Sequence, residues 1–126
     1  MRTGNRMSHP LFEAVAIEEL NAENFENRLA DSSQELVGIF FWGHDCPNCE
    51  VAKNSLFQQS ETMNSVGVRW FHVNTYHNFD LATQFGLFGI PTFLFFAQGK
   101  KLGRICPFPG TDAFFEAVRN LKSKTG

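Results

Sequence analysis

The chain has 126 residues, a net charge of -2 and a pI near 6.0, which suits one domain that can bury its own core. Hydrophobic residues make up 43% of it and 15 are Phe, so a disordered chain is excluded. No basic run extends beyond Lys100-Lys101, and the longest nearly apolar run, residues 85–97, is shorter than the ~20 residues of a membrane span, so neither a nucleic-acid nor a membrane partner is indicated.

Residues 1–14 are predicted to be an N-terminal tail, ahead of one domain at residues 15–126. The segment resembles a secretory signal only faintly, because Glu13 interrupts an apolar stretch shorter than the ~7–15 residues of a signal core. We therefore expect a cytoplasmic protein. A signal peptide already trimmed from the chain, with a periplasmic location, stays open as the alternative.

The first half of the domain alternates between strand and helix patterns. Residues 15–20 (VAIEEL) predict a short strand, and Asn21 can cap a helix that has Phe25 and Leu29 on one face. Residues 35–42 (ELVGIFFW) form a continuous apolar run bounded by polar residues. That run is typical of a strand buried on both faces of a sheet.

From Pro47 the apolar period becomes helical. Proline suits the first turn of a helix, where its missing N–H costs nothing. The apolar face of this predicted helix consists of Cys49, Ala52, Leu56 and Met63, while Lys53, Asn54, Gln58 and Gln59 are assigned to its polar faces. Cys46 and Cys49 therefore lie where a strand passes into a helix.

The second half contains two more predicted helices and three strands. Residues 66–74 predict a strand, and a short helix follows between Asn78 and Gly86. Residues 92–106 predict a hairpin that turns at Gln98-Gly99, and a last helix opens at Thr111. The order β-α-β-α-β-α-β-β-α indicates an α/β fold with parallel strands, helices on both faces and an antiparallel edge.

Three cysteines, two of them close together, do not make a disulfide framework. Taken alone, the pair Cys46–Cys49 fits a redox centre, half of a zinc site or two structural thiols. Structural zinc usually needs four ligands, and only Cys106, His44 and His72 are left to complete such a site. Their scattered positions make zinc the weaker alternative, and no metal site is predicted.

Three segments together resemble the thioredoxin family. They are ELNAENF at 19–25, FWGHDCPNC at 41–49 and the intact GIPT at 89–92, and the likeness covers nearly all of residues 15–122. A lone C-x-x-C is weak, but this spacing to GIPT and a following hairpin is specific. The resemblance implies the thioredoxin fold, with a central mixed sheet of about five strands flanked by helices on both faces. It also implies a monomeric thiol–disulfide oxidoreductase without a cofactor.

Within this resemblance each residue of the motif has an expected role. A helix N-terminus favours an anion, so Cys46 is expected to be the attacking thiolate and the inward-facing Cys49 the resolving thiol. The family implies that Pro91 is cis, lies against the pair and leaves the Ile90 backbone free to pair with a substrate strand. The expected partners are proteins with disulfides or thiols and an electron donor like thioredoxin reductase.

Three features depart from the family. Asp45 replaces a Trp and is expected to raise the pKa of Cys46, and Pro47-Asn48 places proline first, as glutaredoxins do. Phe40 replaces a buried Asp whose lysine partner aligns with His72, so His72 is a candidate acceptor for the Cys49 proton.

Cys106 is either a third thiol beside the substrate surface or a small buried hydrophobe.

The alternative function for the whole chain is a thioredoxin-fold binding module with slow cysteines and weak redox activity. A metal-binding C-x-x-C protein is the more remote choice.

Overall fold

The computed structural model describes residues 9–32, 35–87 and 89–125. Five strands form a single sheet in the order β1-β3-β2-β4-β5. The strands are β1 (Glu18–Glu19), β2 (Leu36–Trp42), β3 (Val68–Asn74), β4 (Thr92–Ala97) and β5 (Lys100–Ile105). The first three run parallel, and the β4–β5 hairpin adds an antiparallel edge. The predicted fold class is confirmed.

The helices cover both faces of this sheet. They are α1 (Pro10–Ala14), α2 (Phe25–Asp31), α3 (Pro47–Gln58), α4 (Ser60–Ser65), α5 (Phe79–Gln84) and α6 (Thr111–Ser123). Side chains of α1, α3, α4 and α6 share one apolar cluster with one face of the sheet. Side chains of α2 and α5 share a second cluster with the other face.

Strand β2 is the centre of the domain, because all seven of its residues are buried. Its side chains alternate between the clusters: Phe40 and Trp42 enter the first, whereas Ile39 and Phe41 enter the second. The apolar run at 35–42 therefore predicted a strand buried on both faces correctly.

The hairpin turn and the last helix also agree with the sequence pattern. Gln98 and Gly99 both have positive φ, 53° and 78°, as a tight two-residue hairpin loop requires. Phe114, Val118 and Leu121 of α6 are buried in the first cluster.

Two predicted elements have other bounds. The strand at 15–20 is reduced to Glu18–Glu19, and the helix expected after Asn21 begins at Phe25. The Asn21 side chain instead accepts hydrogen bonds from the N–H groups of Glu23 and Asn24, which shape the turn before the helix.

The prediction of a tail over residues 1–14 is wrong for its last part. Residues 10–14 form α1, whose Leu11 is fully buried and whose Phe12 lies in the first cluster. His9 begins this helix by accepting the Leu11 N–H at Nδ1, 3.0 Å away, and its Nε2 lies 2.7 Å from Oδ1 of Asn54 on α3. Residues 1–8 lie outside the described residues.

The burial of α1 generates a stability prediction. We expect Leu11→Ala to lower the free energy of unfolding by about 2–5 kcal/mol, since it removes a fully buried side chain and leaves a cavity. Glu13→Ala, an exposed change in the same helix, is the matched control and should alter it by less than ~0.5 kcal/mol. Urea unfolding measures both; equal midpoints for the two variants would mean that α1 adds nothing to the core.

Candidate active site

Cys46 and Cys49 form a disulfide at the point where the chain leaves β2 and enters α3. Their Cα atoms are 5.2 Å apart. Cys46 is partly exposed and is the N-cap of α3, whereas Cys49 lies in the first helical turn and is fully buried. Only Cys46 therefore presents its sulfur to a molecule that approaches from solvent.

The start of α3 favours negative charge on Cys46. Pro47 occupies the first helical turn, and the Cys49 N–H donates a hydrogen bond to Cys46 Sγ over 3.1 Å. An N–H donor and the positive end of a 12-residue helix both stabilise a thiolate. The geometry agrees with the assignment of Cys46 as the more acidic thiol.

The Ile90–Pro91 segment borders the pair. The Ile90–Pro91 peptide bond is cis, as predicted, and the Ile90 carbonyl oxygen lies 3.9 Å from Cys46 Sγ. Pro91 is buried. Among residues 9–32, 35–87 and 89–125, no backbone group hydrogen-bonds to the N–H or C=O of Ile90. Both groups are thus available to an extended peptide.

Asp45 is exposed beside Cys46 and adopts a left-handed backbone conformation with φ 54°. Aspartate is one of the few residue types that tolerate this conformation. Nearby, Tyr76 is 57% exposed and meets the ring of His44 edge-on, with centroids 5.3 Å apart. Tyr76 was not predicted as a site residue, since the loop after β3 carries no motif.

Gly43 lies in close contact with the side chains of Ile90 and Tyr76. A Cβ at this position would lie 2.8 Å from both Ile90 Cδ1 and Tyr76 Cε1, distances that real Cβ atoms do not tolerate. Glycine at 43 therefore lets the loop after β2 lie against the Ile90 segment on one side and the Tyr76 loop on the other.

Beneath the pair, Trp42 connects two buried polar side chains. Its indole N–H donates to Nδ1 of His72 over 3.0 Å, and the Lys53 ammonium lies 3.7 Å from the centroid of its ring. Phe12 of α1 stacks on His72 with centroids 3.8 Å apart. These four side chains, Phe12, Trp42, Lys53 and His72, are the floor of the site.

Lys53 is buried, so the prediction that it lies on a polar face of the helix is wrong. The residue is only 4% exposed, and its Nζ forms an ion pair with the half-exposed Glu50 carboxylate at 3.2 Å. The signal was present, because residue 53 follows Cys49 by four positions and so falls on the same helix face.

The environment of His72 opposes its predicted role as a proton acceptor. Burial first, and then the Lys53 charge, lower its pKa to about 4. A tryptophan N–H can only donate, so Nδ1 of neutral His72 must be the acceptor and Nε2 carries the proton. The neutral ring has no free lone pair for the Cys49 proton unless it gives up Trp42.

Phe40 and His72 are direct partners on the neighbouring strands β2 and β3, which agrees with the alignment of His72 with the family's lysine. Phe40 is 1% exposed and stacks on Phe93, with centroids 4.6 Å apart. No carboxylate stands at this position to accept a proton from Cys49, as the sequence indicated.

Cys106 follows β5 directly and is a free, exposed thiol. The interpretation of Cys106 as a small buried hydrophobe is wrong. In the described part of the chain no hydrogen bond joins it to the cysteine pair or to Ile90, so its predicted place on the substrate surface stays a prediction.

The described ranges contain neither a metal-binding group nor a membrane-spanning helix. No three His, Cys, Asp or Glu side chains within them are grouped so that they could hold a metal ion. Within the same ranges, no helix has both the length and the apolar character that crossing a bilayer requires.

Comparison with known proteins gives a consistent family. The family model described as thioredoxin matches residues 16–119. Two solved structures share the fold: a point mutant of thioredoxin from Halobacterium salinarum NRC-1 (TM-score 0.70, 16% identity, 83% of this chain and 89% of that one) and thioredoxin f from spinach chloroplast (TM-score 0.71, 17% identity, 83% and 92%).

Three curated relatives resemble this chain in sequence. They are the thiol:disulfide interchange protein DsbD of Pseudoalteromonas atlantica (27% identity over 90% of this chain), a thioredoxin-like protein of Fusarium culmorum (36% over 56%) and protein disulfide-isomerase of Gallus gallus (30% over 95%). The chain spans 20%, 60% and 23% of their respective lengths.

The lowered pKa of His72 generates a pH prediction for the disulfide form. The unfolded chain binds a proton on His72 near pH 6.5, whereas the folded protein does so only near pH 4. Stability linked to His72 is therefore complete above pH 6.5 and is lost as pH falls towards 4, by about 3 kcal/mol in all.

His72→Gln keeps an acceptor for the Trp42 N–H but cannot titrate, so it isolates this contribution from the carboxylates. Between pH 7 and 4.5 we expect the free energy of unfolding to fall more steeply in the wild type than in His72→Gln, as measured by urea denaturation. Parallel curves for the two proteins would show that His72 is protonated equally easily when folded.

Proposed function

Because this chain belongs to the thioredoxin family, we propose that it is a thiol–disulfide oxidoreductase that exchanges disulfides with protein substrates through Cys46 and Cys49. The observation that carries the proposal is the placement of a disulfide-bonded C-x-x-C pair at the N-terminus of α3, against Ile90. The names of two relatives, a thiol:disulfide interchange protein and a protein disulfide-isomerase, support the same chemistry.

The reaction in the reducing direction begins at Cys46. Its thiolate attacks one sulfur of the substrate disulfide, a mixed disulfide forms, and the other substrate sulfur leaves with the electron pair and takes up a proton. Cys49 Sγ, having lost its own proton, then attacks Cys46 Sγ. The Cys46–Cys49 bond forms, the bond to the substrate breaks, and the two electrons from the cysteine pair remain on the reduced substrate.

Substrate binding is assigned to the segment next to the sulfur. An extended peptide can pair with the free N–H and C=O of Ile90, which brings its own cysteine beside Cys46. Asp45 is the exposed residue directly before Cys46, and its carboxylate is assigned to contact with the same peptide. Electrons are returned to the oxidised pair by a donor of the thioredoxin-reductase kind, and the protein acts as a monomer.

A binding module with slow cysteines is the second candidate, because of two observations. The carboxylate of Asp45 opposes a thiolate on Cys46, and the buried Phe40 offers no acceptor for the Cys49 proton. A protein of this kind would bind the same peptides but turn over few of them.

A trapping experiment tests which of the two thiols attacks the substrate and which resolves the mixed disulfide. Cys49→Ser leaves Cys46 able to attack but removes the thiol that resolves, so mixed disulfides with substrate proteins should accumulate. Cys46→Ser is the matched control and should accumulate almost none, because the buried Cys49 cannot reach a substrate. Non-reducing gels of proteins captured by each variant give the answer, and trapping that survives Cys46→Ser while it disappears in Cys49→Ser would reverse the assignment.

The residues between the cysteines generate a prediction of redox poise. With Pro47-Asn48 in place of Gly-Pro, we expect a couple more oxidising than thioredoxin at ~-270 mV, in the glutaredoxin range of roughly -200 to -230 mV. Equilibration of the pair with glutathione buffers measures it. A potential at or below the thioredoxin value would mean that Asp45, by destabilising the Cys46 thiolate, or the loss of the acid at Phe40 outweighs the dipeptide.

A further inference from the structure

Lys53 places a cation inside the apolar cluster beneath the cysteine pair. Its ammonium lies 3.7 Å from the centroid of the Trp42 ring and 5.8 Å from that of Phe12, and the residue is 4% exposed. Burying a charge costs free energy, and replacing it with an apolar side chain of similar volume is often neutral or stabilising. The cation–π contact with Trp42 offsets part of that cost, but packing alone does not require a lysine at this position.

The position of Lys53 relates it directly to Cys49. Residues four apart on a helix have Cβ atoms about 5–6 Å from each other, and long helical side chains lean back towards the helix N-terminus. Cys49 and Lys53 are both buried on α3. Trp42, over which the ammonium lies, also belongs to the apolar cluster that contains Cys49, and the i, i+4 spacing puts Cys49 and Lys53 on one buried face of the helix.

Cys49 needs help to ionise. It is 0% exposed, and burial in apolar surroundings raises the pKa of a thiol, although the thiolate is the form that attacks. The facing side chains on strands β2 and β3 do not lower this pKa. Phe40 on β2 is apolar, and the acceptor nitrogen of His72 on β3 is occupied by Trp42.

We infer that the Lys53 ammonium stabilises the thiolate of Cys49 in the reduced protein, so that Cys49 can attack the mixed disulfide without a buried acid to take its proton. The proton leaves to solvent before the attack. The inference deepens the exchange reaction proposed above and rests on it. Lys53 acts through Cys49, so it is a positioning residue.

The other charged groups around Lys53 do not cancel this effect. On α3, Glu50 pairs with Nζ, but its side chain is 56% exposed and water screens its carboxylate. His72 of β3 is neutral at pH 7, because burial first and then the Lys53 charge lower its pKa.

The remaining groups lie at the margin of the floor. Glu13 of α1, Glu19 of β1 and His77 line an open cleft beside Trp42 and His72, where solvent reaches them. His44 meets Trp42 edge-on, and Asp45 is exposed to solvent. Among the described residues, Lys53 is therefore the one buried side chain that carries a formal charge at pH 7.

The direct test is a titration of the Cys49 thiol alone. In a Cys46→Ala background no disulfide forms and no second thiol of the pair titrates, so the pKa of Cys49 can be followed by the chemical shift of 13C-labelled cysteine. Adding Lys53→Met should raise that pKa by about one unit or more, which is a tenfold loss of thiolate at a given pH below it. Cys106, assigned from a Cys106→Ser sample, should not shift.

Three further variants separate charge from packing. Lys53→Gln is a second neutral replacement, in case Lys53→Met does not fold, and should raise the pKa of Cys49 similarly. Lys53→Arg keeps the charge and should leave the pKa close to that of the Lys53 protein. Lys100→Met removes one exposed surface charge and should have no effect.

An unchanged pKa of Cys49 in both Lys53→Met and Lys53→Gln would overturn the inference and make Lys53 a packing residue. Equal shifts in Lys53→Arg and Lys53→Met would overturn it too, because the effect would then follow side-chain shape. The titration needs no substrate, so its outcome is distinct from that of the trapping experiment: a shifted pKa without trapped substrates would retain the role of Lys53 and reject the proposed reaction.

Discussion

Burial of strand β2 on both faces is the constraint on which the site depends. All seven of its residues are excluded from solvent, and it pairs with β3 on one side and β4 on the other. The strand cannot shift by one residue without exchanging its two buried faces. Its end at Trp42 therefore sets where the loop with Cys46 begins, and Gly43 lets that loop lie against Ile90 without a clash.

The position of Trp42 at the end of β2 determines where the buried polar groups of the floor lie. Trp42 reaches His72 with its N–H and receives Lys53 on its ring face, so one side chain at the end of β2 organises both buried polar groups. Where the family has a buried acid, this chain has Phe40 packed on Phe93. The two thiols therefore have different surroundings. Cys46 lies at a helix N-terminus that favours its thiolate. Cys49 lies in an apolar cluster, and Lys53 is the one buried side chain with a positive charge among the described residues.

Local patterns predicted most of this fold, and long-range contacts account for what they missed. The run before Trp42, the Gln98-Gly99 turn and the GIPT segment each carry their own signal in a few residues. Helix α1 does not, because five residues are too few to show a period and its burial depends on α3 and the sheet. The stacking of Phe12 on His72 joins positions 60 residues apart, which no local pattern contains.

Lys53 and His72 illustrate why the chemistry was harder to predict than the architecture. A lysine is expected to be exposed because lysines are rarely buried, although its spacing of four from Cys49 places Lys53 on the inner face of the helix. Whether His72 can accept a proton depends on which ring nitrogen is free, and this is decided by a bond from Trp42, 30 residues away.

The central claim is that the Cys46–Cys49 pair exchanges disulfides with proteins, and reduction of insulin by dithiothreitol tests it most directly. The account predicts that the wild-type protein at catalytic concentration accelerates precipitation of the insulin B chain, whereas Cys46→Ser at the same concentration leaves the uncatalysed rate unchanged. Equal rates with and without the wild-type protein would contradict it and leave a thioredoxin-fold binding module with slow cysteines.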